Sequence, residues 1–151
     1  MKIVTDSNVF FRAILGRKAG TASKLVIQLI SDGRVTSYTC DALMGEIGRI
    51  IKSDPKLSRI DPVYFRQFMD NLDAWLSYVP MKDLEHNQKI LNRIGNDWYL
   101  IAIARSIGAD FIIIYDKDLI SMKSELENQD DIEVLTSEEF IENYKSKNFS
   151  I

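Results

Sequence analysis

The chain is poor in the residues that staple or punctuate a fold. Its 151 residues include one cysteine, Cys40, one histidine, His86, three prolines and seven glycines. A single cysteine excludes an internal disulfide framework and a cysteine-rich zinc site, and a single histidine excludes a histidine-rich metal site. Scarce proline and glycine exclude collagen-like and low-complexity chains. With 46% hydrophobic and 27% charged residues the composition is that of an ordinary globular protein, not a disordered one. No apolar run approaches the roughly 20 residues a membrane helix needs. Met1-Lys2 leads straight into Ile3-Val4-Thr5-Asp6, which leaves no room for a signal peptide. The expectation is one domain over residues 1–151, cytoplasmic and reduced, without membrane contact, and large enough to bury its core unaided.

Net charge is −3, an unpromising total for a nucleic-acid binder. The distribution is more informative. Residues 1–59 hold 10 Lys and Arg against 5 Asp and Glu, whereas residues 60–151 hold 9 against 17. Such asymmetry is compatible with a basic surface beside an acidic one, or with plain surface scatter.

Apolar spacing alternates strand with helix. Lys2 to Thr5 reads as a first strand, and Val9, Phe10, Ala13 and Ile14 recur at helical spacing until the basic loop Gly16-Arg17-Lys18-Ala19-Gly20. Thr21 or Ser23 can cap a second helix that Gly33 ends, and Arg34 to Tyr38 reads as a strand. Asp41 can cap a third helix, stopped by Asp54-Pro55, and Asp61-Pro62 opens a fourth. A brief strand over 78–81 and a short helix over 84–91 follow. Asn96 can cap a helix over 97–107 that Gly108 ends. Phe111 to Tyr115 is an unbroken apolar run, as in a parallel strand buried on both faces. Ile132 to Leu135 is a last strand, and Thr136 with Glu139 spells a capping box for a final helix. The order predicts an α/β fold: a three-layer α/β/α sandwich around a mostly parallel sheet of four to five strands.

In such sheets ligands bind beyond the carboxyl ends of the strands. Asp6 follows the first strand and Asp116 follows the apolar one, although either can be read as a helix cap. Glu46 flanks the apolar stripe of Leu43, Ile47 and Ile50 on a wheel of about 100° per residue. It is either a boundary residue reaching solvent or a buried acid in need of a partner. Asp97 opens a helix that is apolar nearly all round, where the helix dipole alone would favour an acid. Together the four form a constellation. Converging carboxylates repel one another unless a cation neutralises them, and oxygen-only ligands suit Mg²⁺ or Mn²⁺. A divalent ion so held can activate water against a phosphate ester.

The motifs in order resemble the PIN-domain ribonucleases, and within them the toxin-like (VapC-like) subgroup of toxin–antitoxin systems. Ile3-Val4-Thr5-Asp6-Ser7-Asn8 is similar to the family's opening motif, and Leu43-Met44-Gly45-Glu46-Ile47 to its helical Glu. Asn96-Asp97-Trp98-Tyr99-Leu100-Ile101-Ala102, Tyr115-Asp116-Lys117-Asp118-Leu119 and the ending Val134-Leu135-Thr136-Ser137-Glu138-Glu139-Phe140 match in turn. One departure is Ile114, where the family often carries Thr or Ser.

The resemblance implies an acidic pocket of Asp6, Glu46, Asp97 and Asp116 for one or two Mg²⁺ or Mn²⁺ ions. Asp118 would be an outer ligand, and Asn8 would orient Asp6 or a phosphate oxygen. The activity implied is metal-dependent hydrolysis of RNA phosphodiesters. A small antitoxin and a second copy of the chain, as a homodimer, are the implied partners. Arg12, Arg17 and Lys18 are candidates for phosphate contacts, which position RNA without reading its sequence; the alternative is a solvated loop. A haloacid-dehalogenase-like phosphatase is a competing reading, but it needs Asp where this chain has Asn8. A non-catalytic module keeping the PIN fold is another. Trp75, Phe65 and Phe68 suit a helix core or dimer face better than a base-stacking platform. Trp98 packs in the core or walls the pocket. Cys40 is expected to be a small buried hydrophobe, and His86 a surface residue.

Overall fold

A computed structural model describes residues 1–16, 20–84, 98–115 and 123–148. Five strands are seen among them: β1 Lys2–Thr5, β2 Thr36–Thr39, β3 Ser77–Tyr78, β4 Phe111–Ile113 and β5 Glu133–Leu135. They form one sheet in the order β3-β2-β1-β4-β5, with every pair parallel. The described helices are α1 Ser7–Leu15, α2 Ala22–Ser31, α3 Asp41–Ser53, α4 Pro62–Trp75, α5 Trp98–Ile107, α6 Lys123–Asp130 and α7 Ser137–Asn148. No helix among the described residues is long and apolar enough to cross a membrane.

The continuous apolar runs are explained by two-sided burial. Ile3, Phe111, Ile113 and Leu135 point into one core, with α1, α2, α7, Ile47 of α3 and Leu72 of α4. Their neighbours Val4, Ile112, Ile114 and Val134 point into the other, with α5, Leu43 of α3 and Leu126 of α6. Alternation along each strand thus feeds both outer layers of the sandwich, as the strand pleat requires. Cys40 is fully buried, and burial raises its thiol pKa.

Helix ends follow local chemistry. Asp61 Oδ1 accepts the Val63 N–H at 2.9 Å ahead of Pro62, and Thr136 and Glu139 exchange the two bonds of a capping box at 3.2 and 3.3 Å. α2 and α5 end in Gly33 and Gly108 at φ +71° and +66°, each followed by an N–H reaching back five residues, Arg34 to Leu29 and Ala109 to Ala104. That is the closing geometry glycine permits at least cost.

Several boundaries differ from the sequence reading. β2 starts at Thr36, not Arg34, because the Arg34 and Val35 N–H groups both go to the Leu29 carbonyl at the end of α2. Cys40, not Asp41, is the N-cap of α3, and Asp41 sits in its first turn. β3 is Ser77–Tyr78 and stops short of Pro80, which has no N–H for a ladder. β4 ends at Ile113, although the Ile114 N–H still reaches the Leu135 carbonyl at 2.9 Å. Thr21 is the N-cap of α2, but its side chain makes no capping bond. Most of the helix expected over 84–91, together with His86, lies outside the described residues. α6 was not expected: its sequence Lys-Ser-Glu-Leu-Glu-Asn-Gln-Asp has no apolar stripe, and Leu126 is its buried residue.

α6 therefore docks through one leucine and an ion pair from Arg105 to Asp130 at 3.1 Å, whose side chains are 24% exposed. Leu126→Ala should cost about 2–4 kcal/mol in urea unfolding, whereas Arg105→Met should cost under about 1 kcal/mol, as solvent-screened pairs do. Equal losses would show that the ion pair, not the leucine, holds the helix.

Candidate active site

The sheet order creates a crevice. From β1 the chain passes to β2 on one side; from β4 it passes to β5 on the other. β1 and β4 are adjacent, with Thr5 opposite Ile113, so the connections part at their carboxyl ends, the usual ligand position in open α/β sheets. Asp6 is the first residue beyond β1. Its N–H donates to the Ile113 carbonyl at 3.0 Å, and the residue is 4% exposed. Asp6 occupies the N-cap position of α1, yet its side chain accepts no capping bond; its backbone carbonyl takes the Val9 N–H at 3.1 Å. The Ser7 hydroxyl lies 3.5 Å from Asp6 Oδ1. The helix-cap explanation therefore fails for this carboxylate.

Glu46 is half-buried on α3, and its partner is the hydroxyl of Tyr99, which donates to Glu46 Oε2. Sequence reasoning missed Tyr99, counting it only as one more apolar residue of a buried helix. The available signal was that a buried tyrosine hydroxyl needs an acceptor. This bond ties α3 to the first turn of α5, next to Asp97 in sequence. Trp98 meets Tyr99 edge-on, with centroids 6.0 Å apart and planes at 70°. Trp98 packs on the core, as expected for one of its two alternatives, and also walls a cleft of about 650 Å³. Glu46, Gly45 and Arg49 line the cleft's α3 side.

Asn8 is exposed two residues past Asp6. Arg12 is exposed too, but its guanidinium carbon lies 3.6 Å from the centroid of the Tyr115 ring, the residue before Asp116. The Tyr115 hydroxyl donates to Glu138 at 2.7 Å; burial pushes its pKa up, and hydroxyl contacts from Ser137 and Ser23 oppose that. A smaller cleft of about 210 Å³ between Arg12, Thr21, Ser23 and Glu138 adjoins this pair. Ile114, the departure from the family pattern, is fully buried in the core. Phe65, Phe68 and Trp75 are half-buried against the other core.

Asp97, Asp116, Asp118, Arg17 and Lys18 lie outside the described residues. Among the described residues no group of three His, Cys, Asp or Glu side chains is placed to hold a metal. The described donors, Asp6 and Glu46, offer only carboxylate oxygens, a donor chemistry that fits Mg²⁺ or Mn²⁺ and does not favour zinc.

A PIN-domain family profile matches residues 2–118. The chain belongs to the PIN-domain family, whose members are nucleases. No curated protein matches it. Among solved structures, a chain in the crystal structure of VapBC2 from Rickettsia felis bound to a DNA fragment from their promoter superposes with a TM-score of 0.52. The two are 12% identical, and the match covers 89% of this chain and 97% of that one. At that identity the likeness speaks for the fold.

The Tyr99–Glu46 bond is testable by itself. Tyr99→Phe should lower stability by about 1.5–3 kcal/mol, the range for a hydrogen bond to a charged group. Combining it with Glu46→Gln in chemical denaturation should give less than the sum of the single losses. Strict additivity would show that the two side chains do not interact.

Proposed function

We propose that the protein is a metal-dependent endoribonuclease, the toxin component of a toxin–antitoxin pair. The observation that carries this reading is the buried Asp6 carboxylate, set at the crevice between β1 and β4 in an N-cap position it does not use for capping. A plain helix cap would aim its carboxylate at the N–H groups of α1, which this one does not do. In this reading Asp6, Glu46, Asp97 and Asp116 hold one or two Mg²⁺ or Mn²⁺ ions, with Asp118 outside them. Bound there, a divalent ion would supply activated water and charge neutralisation at the scissile phosphate.

The chain's own residues do the remaining work. The backbone of Asp6 is anchored by its bond across to β4, which sets where its side chain departs beyond the strand ends. Glu46 is oriented by Tyr99, which leaves its other oxygen for a ligand or a water. Arg12, held over the Tyr115 ring, is a preorganised cation for an RNA phosphate; Arg17 and Lys18 supply further phosphate contacts, and Asn8 orients Asp6 or a phosphate oxygen. The likeness to a chain of a VapBC complex supports a small antitoxin as partner; the homodimer and the cytoplasmic setting rest on the resemblance of the motifs alone.

Single-stranded RNA should be cut with added Mn²⁺ or Mg²⁺ and left intact in chelator, and Asp6→Asn should abolish cutting without unfolding the protein. At a metal concentration of about 100 Kd, the wild type should gain roughly 2.7 kcal/mol of stability, and Asp6→Asn much less. Full-rate cleavage by Asp6→Asn would remove Asp6 from the metal site.

Salt dependence tests these cationic contacts. Arg12→Ala, Arg17→Ala and Lys18→Ala should each leave one RNA phosphate without its cation. Each should therefore make the slope of log K against log salt shallower by about 0.7, with sequence preference unchanged. A slope unaltered in the triple variant would place the RNA elsewhere.

A further inference from the structure

The cleft beside Glu46 has features that metal binding does not require. Along α3, Asp41, Gly45 and Arg49 recur every four residues and face it, as do Ala42, Glu46 and Ile50 on the neighbouring stripe. The ten residues from Asp41 to Ile50, at ~1.5 Å each, make this wall about 15 Å long. The opposite wall is Trp98, half-buried, with its indole braced edge-on by Tyr99 and its inner side against the core. A side chain that is packed and braced has little rotamer freedom left to lose on binding. Gly45 keeps the α3 wall open, since an added Cβ there would meet nothing within 4 Å. Arg49 stands exposed at the rim, and no ion pair among the described residues engages it.

We infer that this cleft is a nucleobase subsite, in which one unpaired base of the RNA, beside the scissile phosphate, stacks on Trp98 while Arg49 contacts the adjoining phosphate. The inference rests on the ribonuclease reading and deepens it. Glu46 belongs both to the proposed metal site and to the cleft wall, so the base that enters is next to the reacting phosphate. An indole that lines a cleft and is braced in place can stack with any base, since every base has a π-face, and the cleft's volume is ample for a nucleoside. Bases in a duplex have both faces covered by their neighbours, so only single-stranded or flipped-out nucleotides can enter. The subsite therefore selects unpaired RNA without demanding a particular sequence.

Indole emission tests this apart from cleavage. The chain has two tryptophans, so in Trp75→Phe protein Trp98 is the only indole emitter. In chelator, a short single-stranded RNA should quench it saturably, and the same RNA in a duplex, or with abasic sites, should bind about tenfold more weakly and leave emission unchanged. Trp98→Leu should weaken single-strand binding by about tenfold, and Trp98→Phe by much less. Gly45→Leu should also weaken binding while melting at or above wild type, since it fills the cleft and removes a helical glycine; this separates blockage from misfolding. Saturable RNA binding with unchanged Trp98 emission, or abasic RNA binding as tightly as intact RNA, would overturn the subsite. Quenching without cleavage on adding Mn²⁺ would keep the subsite and remove the ribonuclease reading; cleavage without quenching would remove the subsite alone.

Discussion

Everything in this fold hangs on the pairing of β1 with β4. β1 is only four residues long, yet it lies at the centre of the sheet, with β2 on one side and β4 on the other. Its Ile3 and Val4 enter opposite cores, and so do Ile112 and Ile113 across the ladder. Neither core could close if the two strands slipped by one residue, because every side chain would then face the wrong layer. The same pairing opens the crevice, since the connections leaving β1 and β4 part in opposite directions.

A second, weaker tie organises the space beside that crevice. The Tyr99 hydroxyl and the Glu46 carboxylate join α3 to α5 across the wall of the larger cleft. One bond thus does two things: it satisfies a half-buried acid, and it orients an aromatic pair. Arg12 on Tyr115 is a comparable arrangement on the opposite flank, again a charged group held by a ring. Both place a charge near the strand ends without leaving it to swing on a flexible stem.

Much of this was legible in the residues. The strand order and the helices other than α6 and the one expected over 84–91, the two-sided strands, the Thr136–Glu139 box and the Asp61-Pro62 start all follow from local spacing, and the structure repeats them. Where boundaries moved, a longer-range bond had claimed the backbone group, as Leu29 does with the N–H groups of Arg34 and Val35. α6 was invisible because a helix anchored by Leu126 alone has no periodicity to detect. At the candidate site, Asp6 and Glu46 stood out as acids, but the state of each depended on tertiary partners. That Asp6 does not cap α1, and that Glu46 meets Tyr99, are facts about residues far apart in sequence.

The sheet order also governs when the molecule can exist. β1 is synthesised well before its partner β4, which lies 108 positions later, counting from Ile3 to Phe111. At roughly 5–20 residues per second, the first strand waits on the order of 5–20 s for the ribosome to supply its neighbour. Until then the central ladder is half built, and its closure is a long-loop event of the kind that folds slowly. No fragment that stops short of β4 can possess the crevice, so whatever chemistry it hosts is withheld from the nascent chain until β4 has emerged.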